Sequence, residues 1–319
     1  MFTQSLAQSF TADPILSESQ QNEINSLLQS SKASNTLKAY NSDWNHFTYF
    51  CSSHNLTPLP AHPDTILLYI TTLSSTNKLS TIKRHLAAIN KAHTSSNHPS
   101  PTNIQTVKEL LDGVARKIGN KQTPKKALVL DEIKAIIDCI DTTTLQGKRD
   151  KAILLLGFST ASRRSELVSI NLQDLTLTSQ GMDISIYEQK NNTHVLKSIV
   201  YTHNNYCPIQ ALNDWLDASL IKNNALFRSI NKSGKIGERL KPHNVAVIVK
   251  KYVTLAGFDP THYAGHSLRS GFATSAAMEN FNTESIMQQT RHNTRFMVDR
   301  YVQYGNRFKN NASTILKKI

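Results

Sequence analysis

The sequence His266-Ser-Leu-Arg269, followed by His292 and Tyr301, decides how the second half of this chain is interpreted. Upstream of it lies Arg163-Arg-Ser-Glu-Leu167, which is typical of a helix start. On a helix, His266 and Arg269 would share a face, because residues three apart are neighbours there. Each motif is a weak signal when it is taken alone. Together they place two arginines, two histidines and a tyrosine in one half of the chain.

These residue types suit one kind of chemistry, the attack of a phenol on a phosphodiester. Phosphoryl transfer needs an in-line nucleophile, positive groups on the nonbridging oxygens and an acid for the leaving alkoxide. Enzymes often supply the charge with Mg²⁺ held by clustered carboxylates, whereas the acidic residues of this chain are scattered along the sequence. Guanidinium is the best fixed replacement because it stays protonated and binds phosphate in a bidentate manner. We therefore predict a site with no metal and no cofactor.

The charge of the chain favours an anionic partner. The 319 residues include 36 Lys and Arg against 23 Asp and Glu, a formal net charge of +13. Residues 30–126 carry twelve basic and four acidic residues, and residues 127–319 carry 24 and 16, so each part has a net charge of +8, while residues 1–29 carry three acidic residues and no basic one. Two positive parts suit a clamp around a polyanion. We favour nucleic acid as the partner over a membrane surface, and over a charge that serves only to keep the protein soluble.

The first part of the chain predicts an all-helical domain. Residues 1–14 are expected to be a mobile arm, and helices are expected at about 15–28, 34–51, 62–73, 80–93 and 103–116. Five basic side chains are candidate DNA contacts: Lys83, Arg84, Lys91, Lys125 and Lys126. For any single one of these, a solvated basic face is an equally good interpretation.

A linker separates this domain from the second. Residues 118–126 are polar, basic and interrupted by Gly and Pro, which places the predicted domains at 1–125 and 126–319. In the second domain we expect helices at about 130–140 and 148–159, strands at 175–177, 183–187 and 195–201, and helices from 207 to the end. The predicted fold class is mainly α with a small antiparallel β-sheet, an all-helical domain followed by a mixed α+β domain.

The motifs resemble those of the tyrosine recombinase family, also called the phage-integrase family, in its Cre-like branch. Arg163 to Leu167 matches the family's Arg-x-Ser-Glu-Leu, and His266 to Arg269 matches its His-x-x-Arg. His292 and Tyr301 match the family's final histidine and tyrosine, nine residues apart. The family commonly has glycine before that histidine, where this chain has Arg291.

The resemblance implies a role for each of these residues. Tyr301 would attack the scissile phosphate to form a 3′-phosphotyrosyl link, while Arg163 and Arg269 would stabilise the charge of the transition state. His266 is suited to accept the tyrosine proton and His292 to hydrogen-bond the phosphate, with Glu166 in a supporting role.

The resemblance also implies a lysine that protonates the leaving 5′-oxygen from the turn of a β-hairpin. Lys190, in the predicted turn after residue 187, matches best. Lys197, on the returning strand, is the weaker match.

As a member of this family the protein would be a site-specific DNA recombinase. Its expected partners are double-stranded DNA and three further copies of itself, a homo-tetramer on two DNA sites, with no small-molecule substrate. Two alternatives stay open, a type IB topoisomerase-like enzyme and a catalytically silent DNA-binding protein on the same fold.

The sequence gives no reason to expect a membrane or an oxidising compartment. No run approaches the roughly 18 apolar residues of a membrane span, and the N-terminus lacks the features of a secretory signal. Cys51, Cys139 and Cys207 have no metal-ligand spacing and are expected to be small core residues. We expect a cytoplasmic protein.

Overall fold

The structure is a computed structural model that describes residues 17–30, 34–119, 124–188, 193–307, 309 and 311–318. The chain divides into two compact units, Met1–Thr123 and Pro124–Ile319. The predicted arm at residues 1–14 lies outside the described residues. In the part of the chain that the structure describes, no helix is long and apolar enough to cross a membrane.

The regular secondary structure of the first unit, in its described residues, is all helix. Its helices are α1 (Glu18–Ser30), α2 (Ser34–Ser53), α3 (Pro63–Ser74), α4 (Leu79–Ser95) and α5 (Gln105–Ile118). The apolar residues of α2 recur at steps of three and four, which places Trp44, Phe47 and Cys51 on one buried face. Ile82 and Ile89 of α4 are buried in the same core, as their spacing predicts.

A chain of polar side chains crosses the core of this unit. The Tyr69 hydroxyl lies 2.7 Å from Nδ1 of His46 and 2.8 Å from Nδ1 of His85. Oδ1 of the buried Asp43 lies 3.2 Å from Nε2 of His85 and 3.2 Å from Nη2 of Arg84. Because Asp43 only accepts hydrogen bonds when it is ionised, His85 donates through Nε2 and accepts the Tyr69 proton at Nδ1.

The second unit combines helices with two small sheets. Its elements are α6 (Leu130–Asp138), α7 (Leu145–Ser159), α8 (Arg164–Ser169), β1 (Leu175–Leu177), β2 (Gly181–Glu188), β3 (Thr193–Val200), α9 (Pro208–Ser219), β4 (Arg228–Ile230), β5 (Ile236–Arg239), α10 (Pro242–Leu255), α11 (Ser267–Met278), α12 (Thr283–Thr290) and α13 (Arg295–Gly305). Short 3₁₀ turns occur at Leu172–Asp174, Pro260–His262 and Ala312–Lys318. The fold class is therefore mainly α with a small antiparallel sheet, as predicted.

The first sheet is antiparallel, in the order β1-β2-β3. Its last described pair is Glu188 with Thr193, and Ile184 pairs with Lys197. The buried face of the sheet contributes Ile184 and Ile186 to a core that also holds α7 and Trp215 of α9. The hairpin turn at 189–192, with Lys190, lies outside the described residues.

Two expectations about this unit were wrong. The segment after α9 is not helical to the end, because β4 and β5 form a two-stranded sheet between α9 and α10. These strands are short and only partly buried, and they lack the alternation of buried and exposed residues that predicts a strand. Cys139 is exposed rather than a core residue, because it stands at the C-terminal end of α6, whereas Cys51 and Cys207 are buried.

Candidate active site

The turn between α7 and α8 is the centre of the candidate site. Ala161 has φ +47°, a left-handed conformation that bends the chain sharply between the two helices. The carbonyl oxygen of Thr160 accepts a hydrogen bond of 2.6 Å from Nζ of Lys197, and that of Ala161 accepts one of 2.8 Å from Nη1 of Arg269. The turn therefore brings together a strand lysine and a helix arginine that are far apart in sequence.

Arg163 occupies the N-cap position of α8 and is held by two carboxylates. Its backbone N–H donates to Oε2 of Glu166 at 2.8 Å, and its Nη1 donates to Oε1 of the same side chain. Oε1 of Glu188, at the end of β2, lies 3.7 Å from Nη1 of Arg163. Burial alone would raise the pKa of Glu166, but the hydrogen bonds from Arg163 hold that pKa below its ordinary value.

Arg269 lies on the first turn of α11 and is 1% exposed. The helix can lie close to residue 128 because residue 271 is glycine. The Cβ of any other residue there would stand 1.8 Å from the carbonyl oxygen of Leu128. Burial and the positive charge of Arg163 lower the pKa of Arg269 to about 10, so it remains protonated at neutral pH. Its Nη2 is buried without a hydrogen-bond partner among the described residues, and an anion would satisfy it.

Lys197 is a buried cation, 4% exposed, among other charged groups. Its pKa is lowered to about 7, first by burial and then by the charge of Arg269, although Glu166 and Glu188 oppose the change. Sequence reasoning ranked Lys197 below Lys190 because it lies on the returning strand. The signal that was missed is its phase, since Val195, Lys197 and Ile199 all face the buried side of β3.

The two histidines differ in their surroundings. His266, at the N-cap of α11, is exposed on one side. Its pKa is lowered first by the protein packed around the rest of its ring, and then by the positive charges of Arg269 and Arg163. His292 is buried after the end of α12, where burial and then Arg269 lower its pKa to about 4. Nδ1 of His292 lies 2.8 Å from the hydroxyl of Thr290.

Tyr301 lies on α13 with its ring centroid 5.7 Å from that of His292, at an interplanar angle of 37°. Val298 anchors the helix in a small core that Ala273, Ala277 and Ile286 complete from α11 and α12. Tyr301 also raises the pKa of Arg269, against the larger effects of burial and Arg163. The structure thus brings together Arg163, Glu166, His266, Arg269, His292 and Tyr301.

The predicted DNA-contacting residues have different surroundings. Lys83 and Arg84 are exposed on α4, and Lys91 is half-buried on the same helix. Nζ of Lys125 donates to the carbonyl of Thr261 at 2.6 Å. Lys126 pairs with the Glu132 carboxylate and lies near the Tyr263 ring, so its charge is already compensated within its own unit.

Sequence reasoning missed three contributors to the site. Glu188 could have been found from its phase, because it continues the buried face of Ile184 and Ile186. The backbone carbonyls of Thr160 and Ala161 carry no sequence signal, since every residue has one. Within the described residues, no three His, Cys, Asp or Glu side chains are grouped as metal ligands would be.

Comparison with known proteins gives three kinds of match. Residues 126–306 match the model of the phage integrase family. The chain is 41% identical to an integrase/recombinase xerD homolog of Selenomonas ruminantium over 293 residues, 89% of this chain and 86% of the relative, and 23% identical to recombinase cre of Escherichia phage P1, over 75% of each. A crystal structure of the XerH site-specific recombinase bound to its difH substrate shares the fold, with a TM-score of 0.61 and 18% identity over 80% of this chain and 72% of that one.

Proposed function

This chain belongs to the phage integrase family, and we propose that it is a site-specific DNA recombinase that cuts and rejoins strands through a 3′-phosphotyrosyl intermediate. The observation that supports this most directly is the convergence of Arg163, Arg269 and Tyr301 with two histidines around the turn after α7. The 41% identical relative is named an integrase or recombinase, and neighbours in fold are recombinases bound to DNA.

The cations of the site fit a phosphodiester. The positive charge of Arg163 acts on Arg269, which stays protonated at neutral pH and retains an unsatisfied buried donor. Glu166 and Glu188 lie beside Arg163, and with Lys197 protonated the three cations of the site exceed its two carboxylates by one charge. One phosphate would therefore restore the charge balance, and the two guanidinium groups would stabilise its nonbridging oxygens in the transition state.

The reaction is an exchange of phosphodiester for phosphotyrosine. Oη of Tyr301 bonds to phosphorus as the bond to the 5′-oxygen breaks, and a lysine protonates that oxygen. We propose Lys190 for this proton, as the family resemblance implies, with Lys197 as the alternative because its pKa of about 7 suits an acid at neutral pH. A 5′-hydroxyl from a second strand reverses the step, and no ATP is consumed because the linkage energy is retained.

The proposed partner is double-stranded DNA in the cytoplasm, bound by four copies of the chain on two duplexes. Each unit has a net charge that favours a polyanion, and the exposed Lys83 and Arg84 of α4 are proposed contacts in the first unit. Lys91, Lys125 and Lys126 complete the proposed set, in which Arg84 is already paired with Asp43 and Lys126 with Glu132.

The proposal is tested by trapping the covalent intermediate. A pool of nicked duplexes with randomised sequence loses a short 5′ fragment after cleavage, so the protein stays attached in a denaturant-stable adduct that can be recovered and sequenced. Wild type should form the adduct and Tyr301→Phe should not. Tyr304→Phe is the matched control, because Tyr304 is exposed on the same helix, and it should form the adduct normally.

Three other outcomes would contradict parts of this proposal. An adduct in Tyr301→Phe would identify another nucleophile. Salt-sensitive binding without any adduct would identify a catalytically silent DNA-binding protein. Relaxation of supercoiled DNA by a monomer, without exchange between paired sites, would identify a topoisomerase-like enzyme.

A further inference from the structure

Two segments of the second unit lie side by side before each enters a helix. We call residues 125–129, which lead into α6, the pre-α6 segment, and residues 261–265, which lead towards α11, the pre-α11 segment. The backbone N–H of Lys126 donates to the carbonyl oxygen of His262 at 2.8 Å. The chain that enters the second unit is thereby joined to the chain that precedes the His266–Arg269 motif.

The contact continues into the first turn of α11. The backbone N–H of Leu128 donates to the carbonyl oxygen of Ser267 at 3.0 Å, and both residues are fully buried. Gly271, one turn later, allows the close approach of α11 to Leu128. Ser267 stands between His266 and Arg269, so the pre-α6 segment packs against the turn that carries both of these site residues.

A buried carboxylate binds both segments. Glu132, in the first turn of α6, is 9% exposed. Its Oε1 accepts hydrogen bonds from Nζ of Lys126 and, at 2.9 Å, from the hydroxyl of Tyr263, which is itself 2% exposed. Its Oε2 accepts from the backbone N–H of Val129 at 3.2 Å. Lys126 and Val129 belong to the pre-α6 segment and Tyr263 to the pre-α11 segment, so one side chain holds the two together.

Glu132 is unsuited to contact DNA directly. It is buried, both of its oxygens already accept hydrogen bonds, and a carboxylate repels a phosphate. Any effect of Glu132 on the reaction therefore has to pass through the residues that it holds. Tyr263 is three residues before His266, and Arg269 follows one helical turn later.

We propose that Glu132 is a positioning residue that holds the pre-α11 segment and thereby fixes His266 and Arg269 against the scissile phosphate. This inference rests on the proposed recombinase function. Because both side chains leave the same turn of α11, a shift of that turn displaces both of them. Misplacement by about 1 Å can slow a reaction about a hundredfold, even when the altered residue is far from the chemistry.

The structural part of the inference is measured by hydrogen–deuterium exchange in the free protein. Glu132→Gln keeps the size of the side chain and removes its charge. The backbone amides of Lys126 and Leu128 should then exchange at least about tenfold faster, because opening of the two segments no longer breaks a hydrogen bond to a charged group. Asp131→Asn is the matched control, since Asp131 is the exposed neighbour of Glu132, and it should exchange like wild type. Unchanged exchange in Glu132→Gln would overturn the inference.

The functional part is measured as single-turnover cleavage of the nicked substrate at saturating DNA. Glu132→Gln should cleave about 10- to 100-fold more slowly than Asp131→Asn, which loses the same charge. The dissociation constants of the two variants should agree within about twofold, because neither loses a phosphate contact. Cleavage by Glu132→Gln at the rate of the control would refute the inference.

A neutral substrate separates the positioning of a guanidinium from a general loss of structure. Replacing one nonbridging oxygen of the scissile phosphate with a methyl group removes the charge that Arg269 is proposed to stabilise. The defect of Glu132→Gln should be at least about threefold smaller on this substrate, whereas a variant that is merely less folded loses the same factor on both. An equal loss on the two substrates would contradict the inference.

A second variant tests the same contact from the other side. Tyr263→Phe keeps the ring in its core and removes only the hydroxyl that Glu132 binds. It should slow cleavage in the same direction as Glu132→Gln, and the double variant should be no slower than Glu132→Gln alone, because both changes break one contact. Losses that multiply in the double variant would show that the two residues act separately, and the inference would fail.

Failure of the proposed function gives a different result. In that case wild type forms no adduct with either substrate, whereas the exchange of the Lys126 and Leu128 amides still shows whether Glu132 holds the two segments together.

Discussion

Replacing Lys197 with methionine should stabilise the protein, because the substitution removes one buried positive charge from the site. The ordinary pKa of a lysine is 10.5, and burial among Arg269 and Arg163 lowers that of Lys197 to about 7. A tenfold change in proton affinity is worth about 1.4 kcal/mol, so the folded state bears a cost of roughly 4 kcal/mol at pH 7. Methionine has a similar length and no charge, so the variant removes this cost.

Part of the gain is offset by the hydrogen bond that the variant loses. Nζ of Lys197 donates to the carbonyl oxygen of Thr160, and a buried carbonyl left without its donor costs about 1 kcal/mol. The expected net gain is therefore about 3 kcal/mol at pH 7.

The gain should shrink as the pH rises. Between pH 7 and 10.5 the unfolded chain keeps the lysine proton and the folded chain does not, so wild-type stability increases with pH in this window. At pH 9 the cost in wild type falls to roughly 2 kcal/mol, and the variant should be more stable by only about 1 kcal/mol. The pH dependence is thus a more specific expectation than the gain itself.

The assay is urea unfolding at pH 7 and pH 9, followed by the fluorescence of Trp215. The chain has two tryptophans, so all variants carry Trp44→Phe to leave only the signal of the second unit. Lys235→Met is the matched control, because Lys235 is exposed in that unit and its replacement should have little effect at either pH. A stability difference that is the same at both pH values, or a variant less stable than wild type at pH 7, would refute the reasoning.

Three further predictions concern single side chains. Arg291→Gly should raise the free energy of unfolding by about 0.5–1 kcal/mol in urea titrations. Arg291 is exposed and has φ +55°, a conformation in which glycine is not strained, so a loss of stability would contradict this reasoning. Tyr69→Phe should lower the free energy of unfolding of the first unit by about 1–3 kcal/mol, because it leaves Nδ1 of the buried His85 without its donor. The measurement is urea unfolding followed by the fluorescence of Trp44. An unchanged urea midpoint would show that the hydrogen bonds of Tyr69 contribute nothing to stability. Glu166→Gln should destabilise the second unit by about 1.5–3 kcal/mol at neutral pH. Because the pKa of Glu166 is lowered in the folded state, this difference should start to shrink as the pH falls below the ordinary value of 4.5 and vanish below the lowered value; a difference that persists in strong acid would show that the charge is not responsible.

Much of the fold follows from local patterns in the sequence. The apolar stripe of α2 and the alternation of β2 and β3 specify which faces are buried, and the spacing from Arg163 to Glu166 specifies the capped start of α8. The strands β4 and β5 were missed because they are held by contacts from elsewhere. Arg239 of β5, for example, donates to the carbonyl of Val168 at the end of α8.

The site was less predictable than the fold, for a physical reason. Motif spacing identifies candidate side chains such as Tyr301, but it does not reveal their hydrogen-bond partners. The partner of His292 is Thr290, two residues away, which belongs to no motif. The pKa of Lys197 also depends on Glu166 and Arg269, which are distant in sequence.

The two carbonyls at the turn after α7 determine which substitutions can remove a hydrogen-bond acceptor from the site. Lys197 and Arg269 are fixed to peptide oxygens of Thr160 and Ala161, and a coding change at either position leaves an oxygen in its place. Such a change can damage this support only by altering the path of the main chain. A substitution of Glu166 or Glu188 removes the acceptor itself, because there it belongs to the side chain, whereas substitutions at Thr160 and Ala161 are limited by the full burial of both residues.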